Sequence, residues 1–329
     1  MPVTRFRRRV WSALLISLLP VLLAGVPSSI LAQEEAAGSS TRDLLVRLQT
    51  SDGTPGGGSQ ISPRSSESAL DLGWISSVAS GPEGLVYVLH RDLSQDPVVV
   101  LDRTGTRLDS WGSGLFVTPH SVRVDVAGNV WTVDSGTSRV LKFAPDGTEL
   151  LRIDIELPQG PVGSFPRGAT DVAFASDGHL FIADGYGNSR VVEYTSDGTY
   201  VGEWGTGGDG PGEFRIVHGI AVDHDDVVYV ADRENGRIQV FTRTGKIIDV
   251  WKGVGKVYSV SVTQDSVWAS THPLDQSHGD FSGWLLKLGK RSGDVESHLP
   301  VPETHSFSVA EQGSVVTSVE NRIIRWKLN

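Results

Sequence analysis

The sequence contains no cysteine, which excludes disulfides and thiolate metal sites and leaves histidine, carboxylates or backbone oxygens as the means of holding a metal. Basic runs are missing beyond the first ten positions. Residues 1–32 hold four arginines (Arg5, Arg7, Arg8 and Arg9) and no acids, so the rest of the chain sets 25 basic residues against 39 acidic ones, a net −14 compared with −10 for all 329 residues. So acidic a chain is a poor match for a phosphate backbone, and nucleic-acid binding is set aside. Long apolar stretches are scarce too. The one near the start, "VWSALLISLLPVLLAGV", is short for a bilayer span and is broken by Pro20.

That stretch follows the arginines and leads through small, neutral residues to Ala32, the pattern of a secretory signal spanning 1–32. An uncleaved N-terminal anchor is the alternative, and the arginines leave a twin-arginine export route open. The expectation is an extracytoplasmic protein, periplasmic or secreted, with no stable membrane span once the signal is removed. Residues 33–66, including "TSDGTPGGGSQISPRSS", have the glycine, serine and proline content of a flexible linker, with "DLLVRL" at 43–48 as an apolar island.

Beyond residue 74 the chain repeats itself. "PHSVRVDVAGNVWTVDSGTSRVLKFAPDGTEL" from Pro119, "TDVAFASDGHLFIADGYGNSRVVEYTSDGTYVGEWG" from Thr170 and "VHGIAVDHDDVVYVADRENGRIQVFTRTGKIIDVW" from Val217 share one plan. Each has two alternating apolar strands around a Gly or Asp turn, a polar loop, a strand opening on arginine, and a fourth strand after another turn. Weaker copies start at Ser76, Tyr258 and His305, and the last stops after its third strand. Four strands at a period of roughly 40–50 residues are the mark of a propeller blade. The fold class is therefore all-β, a six-bladed β-propeller of four-stranded antiparallel blades over 67–329. An N-terminal segment, 44–48 or 66–73, is expected to complete the last blade and remove the open edge.

Within the blades, "HGIAVDHDDVVYVADRENGRIQVF" resembles the NHL repeat. Asp134, Asp184 and Asp232 occupy one equivalent position, and Arg139, Arg190 and Arg237 another; their repetition reads as an ion pair that locks each blade.

Chemistry is sought where one blade departs from the others. The residue before each inner strand is Ser76, His120, Thr170, His218, Tyr258 and His305, so histidine stands in alternate blades. Alternate blades of a six-fold ring lie about 120° apart, so the three imidazoles can converge on one point. That is a three-histidine metal site with an open fourth position, as in catalytic zinc centres. The competing reading is three unrelated channel histidines satisfied by water; with only nine histidines in the chain, the alternate spacing favours the metal. His179, His224, His272, His278 and His298 fit turn or surface roles, and "DHDD" around His224 is explained by turn chemistry. After the second strands come Ser135, Tyr186 and Arg233, with Arg91 in "LHRD" of the first blade. A tyrosine beside a metal can serve as a base and two arginines can clamp a carboxylate; a stacked rim aromatic and surface ion pairs are the plainer readings.

"TPHSVRVDVAGNVWTVD", "ADGYGNSR", "VHGIAVD", "ADRENGRIQVF" and "VLHR" together resemble the peptidyl-α-hydroxyglycine α-amidating lyases, over about residues 66–329. These are six-bladed NHL propellers that cleave a peptidyl-α-hydroxyglycine into a peptide amide and glyoxylate. The resemblance implies that His120, His218 and His305 bind Zn²⁺, that Tyr186 is catalytic, that Arg91 and Arg233 are active-site arginines, and that the backbone oxygens of Val78 and Val122 hold a structural Ca²⁺. It also implies a peptide or small-molecule substrate ending in an α-hydroxyglycine-like group. Ser306 stands where the family has an aspartate calcium ligand, and "PET" replaces a Met-Pro pair before the third histidine. A neutral serine lowers or abolishes calcium affinity, because Ca²⁺ favours carboxylates. Two other functions remain in view: a non-catalytic propeller acting as an extracytoplasmic binding or scaffold module, and another propeller hydrolase such as a lactonase. Lactonases of this shape typically hold their metal with acidic and Asn ligands around the channel, and the alternate-blade histidines argue against that.

Overall fold

The turns that punctuate the repeat explain the sheets they join. In "ASDG", Ala175 donates its N–H to the His179 carbonyl at 2.9 Å and Gly178 donates to the Ala175 carbonyl at 3.0 Å. Gly178 has φ +84°, a conformation that residues with a side chain rarely take. In "DHDD" the same place falls to Asp226 at φ +58°. That turn keeps the same two backbone bonds and adds Asp223 Oδ1, which accepts the N–H groups of Asp225 and Val227 at 3.0 and 2.9 Å. With Lys290 Nζ 2.9 Å from the other carboxylate oxygen, Asp223 is satisfied within the protein.

The computed structural model describes residues 58–61, 64–156, 167–273, 283–310 and 313–328. The expected signal, most of the linker and the island at 43–48 lie outside the described residues. Six blades follow one another in the order of the chain. Their inner strands are Ile75–Ser80, Pro119–Val124, Asp171–Phe174, Val217–Val222, Lys256–Val262 and Phe307–Ala310. Blades one to five each build outward through three further antiparallel strands of their own, and blade six through two. Its fourth is the N-terminal strand Arg64–Ala69, which runs antiparallel to Arg322–Lys327 in the register Arg64 to Lys327 and Ala69 to Arg322. The closing segment thus overlaps the expected 66–73 and reaches across the linker boundary read from composition. Further back, Ser59–Gln60 lies parallel to the outer strand of blade five.

The core is divided among the gaps between blades. One apolar cluster fills each of the six junctions, as in Trp131, Val133 and Val140 of blade two against Leu180, Ile182 and Val192 of blade three. The junction of blades six and one is packed in the same way, by Val316 and Ile323 against Val78 and Val88. Burial of this kind around a full ring leaves no open apolar face between first and last blade. Among the described residues no helix is long and apolar enough to cross a membrane.

The repeated Asp and Arg do not behave alike. Arg190 Nε meets Asp184 at 2.8 Å and Arg237 Nε meets Asp232 at 2.6 Å, as the repeat suggests. In blade two Asp134 spends its oxygens on the N–H groups of Val117 and Thr118 and on Thr137, so Arg139 turns outward to Asp154 at 2.7 Å. The blade-locking pair is therefore a feature of blades three and four, and in blade two a network of neutral donors does its work.

Candidate metal centre

The position that carries the histidines is set apart by the backbone. In blade two the ladder pairs Pro119 with Asp134 and then Ser121 with Val133; in blade four it pairs Val217 with Asp232 and then Gly219 with Ala231. His120 and His218 are thus the extra residues of β-bulges, without a partner across the ladder, and a bulge re-aims the side chain it carries. Ser76 and Tyr258 sit in matching bulges of blades one and five, which puts Tyr258 in the slot.

The three imidazoles meet. Their ring centroids are 4.9 Å apart for His120–His218, 5.0 Å for His120–His305 and 4.9 Å for His218–His305, a nearly equilateral triangle. One ring nitrogen from each lies within 4.8 Å of the other two. His120 and His218 are buried and His305 partly so. Each Nδ1 donates to a backbone carbonyl of the next blade: His120 to Thr170 at 2.6 Å, His218 to Tyr258 at 2.7 Å, and His305 to Ser76 at 2.7 Å. Those acceptors are the slot residues of blades three, five and one. With Nδ1–H so engaged, each Nε2 is the bare nitrogen, the tautomer that a metal requires. Burial pushes all three imidazoles well below their usual pKa, His305 to about 3, and keeps them neutral. Nearby positive charge from Arg91 and Arg233 adds to this. Three neutral, converging Nε2 atoms, two of them on buried residues, fit a zinc ion.

Tyr186 reaches the same centre. Its hydroxyl is 2.9 Å from His120 Nε2 and 3.2 Å from His218 Nε2. Gly185 makes this possible: a Cβ there would lie 1.8 Å from the Val217 carbonyl oxygen, so only glycine lets the loop lie flat against the strand that carries His218. Burial raises the pKa of the Tyr186 phenol, and the charges of Arg233 and Arg91, with a hydrogen bond from Arg233, pull it back. Arg233 lies with its guanidinium carbon 5.8 Å from the Tyr186 ring and 5.1 Å from the Tyr258 ring, its Nε held by Glu234 at 2.9 Å. Arg91 stacks on Trp74 at 4.4 Å and donates its Nε to the carbonyl of Pro119, the residue before His120, at 3.1 Å.

All six of the residues expected to do chemistry are thus brought to one place. Gly185, Trp74 and the aromatic wall were not legible beforehand. Trp74 meets the His305 ring edge-on at 5.0 Å, and Tyr258 stacks on His272 at 4.1 Å. The glycine carried a signal, since it directly follows the repeated aspartate, whereas Trp74 lies before the first clear repeat.

The expected calcium position is different. Val78 and Val122 are fully buried on the inner strands of blades one and two. Ser306 Oγ is 3.0 Å from Ser77 Oγ and accepts weakly from the Val78 N–H at 3.5 Å, so these hydroxyls satisfy one another. Among the described residues lining this part of the channel, the one carboxylate is Asp171, and Arg123 holds it. The groups present do not form a calcium cage.

The comparisons with known proteins agree with this architecture. The NHL repeat family matches residues 116–143 and 214–241, in blades two and four. The chain is 31% identical over 256 residues to the peptidylglycine alpha-amidating monooxygenase of Rattus norvegicus, a match that covers 71% of this chain and 26% of that protein. It therefore spans about a quarter of the rat protein's length. It is 25% identical over 284 residues to a probable peptidyl-alpha-hydroxyglycine alpha-amidating lyase of Caenorhabditis elegans, covering 75% of this chain and 80% of that one. The virginiamycin B lyase of Staphylococcus aureus superposes with a TM-score of 0.55 at 13% identity, over 82% of this chain and 100% of the other, and shares the fold. This chain is an NHL-repeat six-bladed β-propeller. Within that class it resembles the peptidyl-α-hydroxyglycine α-amidating lyases.

Proposed function

We propose that the chain is a zinc-dependent lyase that breaks the C–N bond of a peptidyl-α-hydroxyglycine, or a similar carbinolamide, to release an amide and glyoxylate. The observation that carries this reading is the triangle of neutral imidazoles with the Tyr186 hydroxyl seated between two of its corners. The name of the Caenorhabditis elegans relative points to the same reaction class. His120, His218 and His305 would hold the zinc through Nε2, and the ion would supply the Lewis-acid charge that eases ionisation of a neighbouring hydroxyl.

The remaining work falls to the protein's own groups. The substrate's carbinol carbon carries a hydroxyl, a carboxylate and the amide nitrogen. Tyr186 Oη, in its ionised form, takes the hydroxyl proton; the C–O bond becomes the carbonyl of glyoxylate, and the electrons of the C–N bond go to nitrogen. Tyr186 Oη then returns the proton to that nitrogen, so the amide leaves neutral and the tyrosine is reset. Burial outweighs the cationic charges of Arg233 and Arg91 and leaves the phenol's pKa raised, so the positive charge of a bound zinc would be needed beside them to favour ionised Tyr186. Each arginine is anchored by its Nε, to Glu234 and to the Pro119 carbonyl, which orients the guanidinium to grip the substrate's carboxylate. On the strength of the 1–32 signal pattern, this chemistry takes place outside the cytoplasm.

The test is elemental analysis of the purified protein beside an assay of benzoyl-α-hydroxyglycine. The expected result is one zinc per chain and glyoxylate formed in step with benzamide, both lost in His218→Ala. Zinc without glyoxylate would keep the metal centre and reject the substrate class. A folded protein with neither would leave a propeller used for binding.

A further inference from the structure

Below the imidazole triangle the channel holds a salt bridge that the proposed chemistry does not use. Arg123, on the inner strand of blade two, grips Asp171 of blade three with both ends of its fork: Nε to Oδ1 at 2.9 Å and Nη2 to Oδ2 at 2.5 Å. The Asp171 side chain is 3% exposed and that of Arg123 16%. Asp171 Oδ1 also accepts the N–H of Val172 at 3.0 Å, its Oδ2 accepts the N–H of Ile220 in blade four at 3.2 Å, and Arg123 Nη2 reaches Ser259 Oγ of blade five at 3.4 Å.

Every one of these ties falls beside a part of the metal centre. Asp171 adjoins Thr170, whose carbonyl fixes His120. Ile220 is two residues from His218, and Ser259 adjoins Tyr258, whose carbonyl fixes His218. The third imidazole has its own tie, since the Ser306–Ser77 hydroxyl pair joins the neighbours of His305 and of its acceptor Ser76. The sequence makes room for the fork. At the place of Arg123, three residues after the slot, the other blades carry Ala79, Ala173, Ala221, Ser261 and Ser308.

We propose that Arg123 is the built-in cation of this channel: held by Asp171, it braces blades two to five, positions His120 and His218, and takes over the cross-linking that a bound calcium would perform. A fixed guanidinium suits this task, because its fork is rigid and its charge permanent. Arg123 and Asp171 are positioning residues. The claim about the imidazoles rests on the zinc reading, whereas the claim about calcium does not.

Two measurements decide it. Thermal unfolding of the native protein in calcium-free buffer is compared with unfolding in millimolar calcium, with elemental analysis for bound calcium. An unchanged midpoint and no bound calcium are expected; a stoichiometric calcium or a raised midpoint overturns the proposal. The second is a cobalt(II) titration of the zinc-stripped protein and of Arg123→Ala, followed by visible absorption. Removing the fork is expected to weaken cobalt binding about tenfold to a hundredfold, the usual effect of losing a group that orients ligands. It is also expected to leave Asp171 free, so that calcium now raises the variant's midpoint. A lowered midpoint with unchanged cobalt affinity would mean that Arg123 holds the fold alone, and the positioning role falls. If Arg123→Ala does not accumulate as folded protein, Arg123→Lys serves, since it keeps the charge and loses the fork. No cobalt binding by the native protein would sink the zinc reading, and the calcium comparison would still decide the brace.

Discussion

Even and odd blades build the same slot and use it in opposite ways. Blades two, four and six place a histidine there; blades three, five and one place a backbone carbonyl that accepts the Nδ1–H of the histidine before it. Each ligand is thus oriented by the neighbouring blade, and the six-fold scaffold becomes a three-fold metal centre in which half of the working parts are main chain. A residue that contributes a carbonyl can be Ser, Thr or Tyr without loss, so nothing in the side chains of the odd blades announces the role. The even blades allow no such freedom, because only imidazole brings a bare nitrogen to the axis once Nδ1 is engaged.

The largest effect should come from an even slot. His218→Ala is expected to remove the zinc and lower glyoxylate release by about a thousandfold or more, since a Lewis-acid charge supplies several kcal/mol. Metal content and activity should fall together, and retention of full zinc would break the distinction between ligand and orienter. Tyr186→Phe should come next, lowering kcat by about a hundredfold to ten-thousandfold while the zinc stays, as befits a group that moves a proton without holding the metal. Loss of zinc in this variant would make Tyr186 a ligand.

The same contrast explains how much could be read in advance. His120, His218 and His305 were legible because a repeat exposes whatever departs from it, and Tyr186 and Arg233 stood out in the same way. The bulges were not legible: an extra residue in one strand changes the pairing and leaves the apolar alternation intact, as between Pro119 and Ser121. The Asp and Arg repeat misled in one blade for a related reason. Asp134 and Arg139 keep the spacing, but Asp134 accepts from the N–H groups of Val117 and Thr118 and from Thr137, and the arginine pairs with Asp154 instead. Arg123 departs from the repeat as the histidines do, but it lies three residues beyond the slot, where the other blades carry only alanine or serine and nothing marks the position as one that meets a neighbouring blade.

That divergence of the Asp–Arg pairs can be sharpened by stability measurements. Asp232 is fully buried and Arg237 nearly so, and Arg237 Nη groups also donate to the carbonyls of Asp209 and Gly210. Asp232→Ala leaves that guanidinium buried without its counter-charge and should cost about 3–5 kcal/mol. In blade two the arginine's partner Asp154 has a side chain 63% exposed. Asp154→Ala should change stability by less than about 1 kcal/mol. Urea unfolding of the two variants side by side measures the difference; equal losses would mean that burial does not separate the pairs.

The smallest effect belongs to an odd slot. Ser76 donates its hydroxyl to the Leu89 carbonyl at 3.1 Å, inside blade one, while its own carbonyl takes His305 Nδ1. Ser76→Ala deletes the first bond and keeps the second. The expected cost is about 1 kcal/mol of stability, the net worth of one buried hydrogen bond, with zinc content and kcat unchanged. His305→Ala, across the same contact, should lose the metal. If Ser76→Ala also lost it, the serine side chain would have to act on the imidazole, and the division between ligand blades and carbonyl blades would fail at the one junction where chain closure brings the last blade against the first.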